Sequence, residues 1–202
     1  MNSLNQILSV KKSSNSKGFT LIELLVVAAV IGILLAIAIP NLIKARISAN
    51  HANAKKSVQT LRDAEYEYFE GDLDNNGERD FTDLVGNSST ASSLRCPYNP
   101  PCDSFDELLD ASFEGMVVAS GVMISDCPDS KAGYCLTFTD ELSVSDLIGD
   151  FGWELSPRAV GKSGNFDFAG FADKLIVCTV STQPLSSPGT FEATRTSNVC
   201  PD

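Results

Sequence analysis

Histidine and tryptophan each occur once, as His51 and Trp153. With one imidazole and no Gly-x-Ser-x-Gly, Walker loop or His-Glu-x-x-His, the chain lacks the groupings that nucleophilic, nucleotide or zinc chemistry requires. It reads as a non-enzyme. His51 is expected to be solvated or to pack, and Tyr66, Tyr68 and Phe69 are expected in a core. Cations are scarce too: 15 Lys and Arg stand against 26 Asp and Glu, a formal charge of −11. Phosphate recognition depends on Lys and Arg, so no direct nucleic-acid binding is expected. Cysteine is missing before residue 96; all six lie between Cys96 and Cys200. Zinc sites place cysteines two to four residues apart, and these gaps do not fit. No internal repeat is evident.

What the sequence does have is one long apolar run. Phe19 to Ile39 is 21 residues with one charge, Glu23. As a helix it spans roughly 31 Å at ~1.5 Å per residue, matching a hydrocarbon core of ~30 Å. An ordinary secretory leader has a shorter core and a small-x-small cut site. Ala36-Ile37-Ala38 resembles such a site, but the run is too long and contains an acid. A carboxylate in such a run points to function. If the chain is cut after Gly18, Phe19 carries a new α-amine, positive at neutral pH. Glu23 then meets that amine within one helix, or neutralises the amine of a second, slipped helix. The second pairing makes a polymer.

Lys17 to Val27, Lys-Gly-Phe-Thr-Leu-Ile-Glu-Leu-Leu-Val-Val, resembles the class III signal of type IV pilins and type II secretion pseudopilins. The likeness continues through Ile39-Pro40-Asn41 and the following helix to about Phe69. It implies that a prepilin peptidase cuts after Gly18 and methylates Phe19, and that Glu23 guides assembly. It further implies a partner set of identical copies, the peptidase and methyltransferase, and inner-membrane assembly machinery. The precursor is expected in the inner membrane with its C-terminus outside, and the product in a surface filament. The cysteines then lie in an oxidising compartment. Lys11, Lys12 and Lys17 hold the leader inside, although Lys44 and Arg46 beyond the run oppose that count. Removing the leader's three lysines leaves 12 cations against 26 acids, a charge of −14.

The expected layout is leader 1–18, membrane and assembly half of a helix 19–40, amphipathic half 41–71, and head 72–202. The second half of the helix places Ile43, Ile47, Ala54, Val58, Leu61 and Tyr68 on one face, and Gly71 ends it. Pro40 lies mid-helix and removes a backbone donor. It predicts a kink, or with Gly32 a segment that unwinds when helices pack in a filament. Asp72, Asp74, Asn76, Glu78, Asp80 and Asp83, with Gly77, resemble a calcium loop of the EF-hand or dockerin type. The competing reading is an acidic Asn-Gly turn without an ion, and Arg79 stands where such loops carry an aliphatic residue. A short helix is expected over Ser104–Ser112. Strands are expected over Met116–Ile124, Gly133–Thr139, Asp150–Arg158, Asn165–Phe171 and Lys174–Ser181. The fold class is α+β: the helix laid on an antiparallel sheet, stabilised by disulfides. Six cysteines allow fifteen pairings, and sequence does not choose among them; neighbour pairing, Cys96–Cys102, Cys127–Cys135 and Cys178–Cys200, is the working expectation. The functional expectation is a pilin subunit. The alternatives are a pseudopilin, for which a calcium site would also fit, and a membrane-tethered calcium-binding or adhesive module that never polymerises. Six cysteines and a large head favour the pilin.

Overall fold

A computed structural model describes residues 18–98, 100–103, 105–118, 124, 127, 129–182, 191–198 and 200. One α-helix, α1, runs Leu21–Gly71. The chain divides after Asn41 into two units. In the first, the helix is bare: Leu21, Ile22, Leu24, Val26, Ile31 and Leu35 are all exposed, and Pro40 sits inside the helix.

In the second unit, 42–202, the helix supplies one face of a core. Ala54, Val58, Leu61, Ala64 and Tyr68 are buried. They recur at threes and fours, which is the helical condition for one shared face. Full burial of side chains such as Val58 and Leu61 stabilises by roughly 1.5–3 kcal/mol each. The partner surface is a four-stranded antiparallel meander, β1 (Tyr134–Phe138), β2 (Gly152–Pro157), β3 (Phe166–Phe171) and β4 (Lys174–Val180), in that order across the sheet. Strand period two puts Tyr134, Leu136, Trp153, Leu155 and Phe168 into the same cluster as the helix residues. Three polar ties fix the helix on the sheet edge loops. Asn50 Nδ2 donates to Ser163 O at 2.7 Å, Asn165 N donates to His51 Nε2 at 3.0 Å, and the Tyr66 hydroxyl donates to Ala172 O at 2.8 Å. His51 therefore accepts through Nε2, with its ring edge-on to Phe166. Burial, then Lys55, hold its pKa below the usual value, which suits a neutral acceptor. Gly164 is needed for close approach: a Cβ there would lie 2.1 Å from the Tyr134 hydroxyl oxygen.

The expected α+β layout is the observed one, with differences in detail. The sheet is covered on its second face as well. Val118, Ile124, Cys127 and Cys135 form one cluster there, with Phe191 against it, and Ala169, Phe171, Val177 and Ala193 form another. All six residues of β2 are therefore buried. The strand expected over 116–124 appears only as Val117 bridging Leu136; residues 119–123 lie outside the described residues. Residues 105–110 are turns and bends rather than helix. The helical segment there is a 3-10 helix, Ala111–Met116, capped by Asp110, whose side chain accepts from Ser112 N. The cause is Arg95, which is buried and gathers the segment around itself. It pairs with Glu107 at 2.8 Å and Glu114 at 2.5 Å, and its Nε donates to Leu109 O. A buried guanidinium needs such satisfaction. Disulfides join Cys96 to Cys102, Cys127 to Cys135 and Cys178 to Cys200.

Candidate functional site

The site proposed by the sequence begins at the first unit's exposed end. Gly18 is exposed with nothing within 4 Å of a notional Cβ, and Phe19 is 88% exposed. Glu23 is tied to the helix start. Its Oε2 accepts from Thr20 N at 2.9 Å and Thr20 Oγ1 at 2.7 Å, while Thr20 Oγ1 accepts from Glu23 N at 3.3 Å. This is a reciprocal capping box, in which an N-cap Thr and an acid three residues on satisfy orphan N–H groups. The sequence reading treated Glu23 only as a charge; Thr-x-x-Glu was the available sign of its second role. The box fixes the carboxylate at the helix start, four residues after Phe19. Beyond it, the apolar run is exposed among the described residues. An exposed apolar surface this continuous marks a lipid or protein contact, and α1 is long and apolar enough to cross a membrane.

The acidic loop follows α1 directly. Asp72 and Asn75 have positive φ, 44° and 56°, and Gly77 has φ 89°. Asn76 organises the turn. Its Nδ2 donates to Asp74 Oδ2 at 2.9 Å and Asp80 Oδ2 at 3.4 Å, and its Oδ1 accepts from Glu78 N at 2.7 Å. Asp74, Asn76 and Asp80 are thus together. Glu78 takes part through its backbone. Asp83 bears on a different group, Glu65. Among the described residues, no group of three or more His, Cys, Asp and Glu side chains is placed to hold a metal ion. Partial burial first, then the charge of Asp74, push the Asp80 carboxyl above its usual range.

Sequence reasoning missed the buried acids. Glu65 is fully buried on α1, where Trp153 Nε1 donates to Oε1 at 2.6 Å and Thr82 N to Oε2 at 3.2 Å. Burial pushes its carboxyl up to about 8, against those two bonds, and Asp83 adds to the rise. On the second face of the sheet, Asp167 accepts from Ser156 Oγ at 2.6 Å, and burial raises it to about 7. Burial likewise raises Glu154 to about 7. Glu65 and Asp167 are hydrogen-bonded core groups, as buried polar groups must be.

A bare apolar half-helix with a capped acid at its start, and a disulfide-bonded α+β head, define a class: chains with an N-terminal helix of membrane-spanning length and composition. Comparisons find likeness to known proteins in the N-terminal part of the chain. Residues 13–39 match the prokaryotic N-terminal methylation motif. The chain is 48% identical over 54 residues to the type IV major pilin protein PilA of Myxococcus xanthus, covering 27% of this chain and 24% of that one. It is 67% identical over 36 residues to the type IV wide pilus major component PilA4 of Thermus thermophilus, covering 18% of this chain and 28% of that one. It is 47% identical over 49 residues to the type IV narrow pilus major component PilA5 of the same organism, covering 24% and 42%. The N-terminal segment is thus similar to that of type IV major pilins. The chain spans about a quarter of the length of the first two relatives it matches. No solved structure matches.

Proposed function

We propose that this chain is a type IV pilin, a structural subunit of a surface filament rather than an enzyme. The precursor is held in the membrane by residues 19–40 and cut after Gly18, and Phe19 is methylated. Copies then pack their apolar half-helices together. The observation that carries this is the bare run 21–39 with Glu23 as its one charge, bound to the helix start beside the cut. In a bundle of such helices, the run exchanges lipid for its neighbours, and Glu23 neutralises the Phe19 amine of a second copy. Oε2 is engaged by Thr20, which leaves Oε1 to face that amine.

The test separates the two roles of Glu23. Mass spectrometry of the membrane form is expected to find a chain that starts at methylated Phe19. Glu23→Val removes both cap and charge, whereas Glu23→Gln keeps the capping box and removes the charge. Both are expected to be processed and to yield few sheared fibres by electron microscopy. Normal fibres from Glu23→Gln would show that the charge is not what registers the copies. Short fibres seen only with a secretion apparatus would favour the pseudopilin.

A further inference from the structure

Charge on the head is sorted along α1. Lys44, Arg46 and Lys56 are exposed on the early turns of the second unit's helix, and Lys162 is exposed on the β2–β3 connection. Arg46 and Lys162 line an open cleft of about 410 Å³ with Asn50, Ser130, Gly133 and Ser163. Asn50 and Ser163 are hydrogen-bonded to each other at its floor, so the two cations stand on a fixed base. Among the described residues, neither Arg46 nor Lys162 forms an ion pair. At the helix's other end lie Glu70, Asp72, Asp74, Glu78 and Asp80, and none of them pairs with a cation among the described residues. From 46 to 71 the helix rises ~38 Å at ~1.5 Å per residue, so the two patches cannot neutralise each other within one copy.

The acids are also placed against the helix dipole. A helix C-terminus carries partial negative charge and favours cations, yet the last turn of α1 has no basic residue. The crowding is visible at Asn76, whose one side-chain nitrogen donates to both Asp74 and Asp80. In the isolated chain, then, one end has unpaired carboxylates in an unfavourable field and the other has unpaired cations around a cleft.

We propose that the two ends are halves of one interface: the loop 72–80 of one copy docks its carboxylates in the cleft between Arg46 and Lys162 of a second copy. This rests on the filament reading and adds a contact between heads to the packing of the apolar runs. A second copy is favoured over an anionic lipid surface because a lipid would account for the basic patch alone. A second copy accounts for both patches. Each exposed ion pair is weak, but a polymer repeats the contact at every subunit.

The experiment is a charge swap in the full-length chain, read as sheared fibre yield relative to mature chain held in the membrane. Arg46→Glu with Lys162→Glu is expected to lower the yield at least about tenfold, and Asp74→Lys with Asp80→Lys likewise, since like charges then face each other. All four substitutions together are expected to recover most of it. The milder Arg46→Gln with Lys162→Gln is expected to lower the yield in the same direction, which covers the case in which reversal harms folding. Fibres from the unaltered chain and from both reversals would overturn the docking and leave the filament reading intact. Loss without recovery in the fourfold variant would also overturn it. Loss from the basic reversal alone would overturn it in favour of a lipid surface. A lack of fibres from the unaltered chain would strike the filament reading itself.

Discussion

Replacing Glu65 by Gln tests whether a neutral carboxylic acid sits at the centre of the head. Glu65 is fully buried, with Trp153 Nε1 and Thr82 N donating to its two oxygens. Its carboxyl is raised from 4.5 to about 8. The sign follows from proton counting. Between these values the folded chain holds a proton that the unfolded chain has lost, so stability falls as pH rises. The contribution is fully present below about pH 4.5 and is lost through about pH 8. At about 1.4 kcal/mol per unit, roughly 3 kcal/mol is gone by about pH 7. Gln keeps the shape and the bond from Trp153, but turns an N–H toward Thr82 N–H. That costs on the order of 1–2 kcal/mol at every pH. The two stability curves should therefore cross. The native chain is the more stable in acid, and Glu65→Gln becomes the more stable above about pH 6. Glu154 and Asp167 add their own falling slopes, so the difference between the two proteins is the quantity to follow. Thermal unfolding of the mature chain in detergent, with disulfides intact, reads it through Trp153, which touches the site. Parallel curves would refute the reasoning, because they would mean that the Glu65 carboxyl binds its proton equally in the folded and unfolded states.

Three further outcomes are expected. Leu61→Ala opens a cavity where helix and sheet meet at a fully buried side chain and should cost about 2–5 kcal/mol by urea unfolding; a loss below about 1 kcal/mol would mean that this contact is not central. Removing the Cys178–Cys200 bridge as a double Ala variant opens a loop of 22 residues and should cost about 3 kcal/mol, read as faster proteolysis at the C-terminal segment. Asp80→Asn relieves the acids around it and should raise the melting temperature in chelator; a drop that appears only with calcium present would show that the carboxylates 72–80 hold that ion.

Legibility in the sequence followed the range of the physics. The apolar run, its single acid and the glycine before it were readable because each must be a particular residue type at a particular spacing. The helix stripe and the four strands were readable because their periods are local. Glu65 was half-readable: it stands four residues after Leu61 and three before Tyr68, on the buried stripe, yet a charged residue type argued for solvent. Glu154, Ser156 and Asp167 carried no such sign, since period two sends them to the face opposite Trp153 and Leu155. What buries them is chain far away in sequence, around Val118, Cys127 and Ala193, and no local pattern announces a second cover. The segment 105–110 fails as a helix for a similar reason, because Arg95, ten and more residues upstream, draws Glu107 and Glu114 to one guanidinium. The three cases share a cause: each concerns a charged group, whose place is decided by its partner and not by its own period. Glu23 is the instructive exception. Its partner within the chain, Thr20, is three residues away, so Thr-x-x-Glu was legible in principle. What hid it was that a lone acid among apolar residues already had an explanation, and a capping carboxylate with one free oxygen is compatible with both.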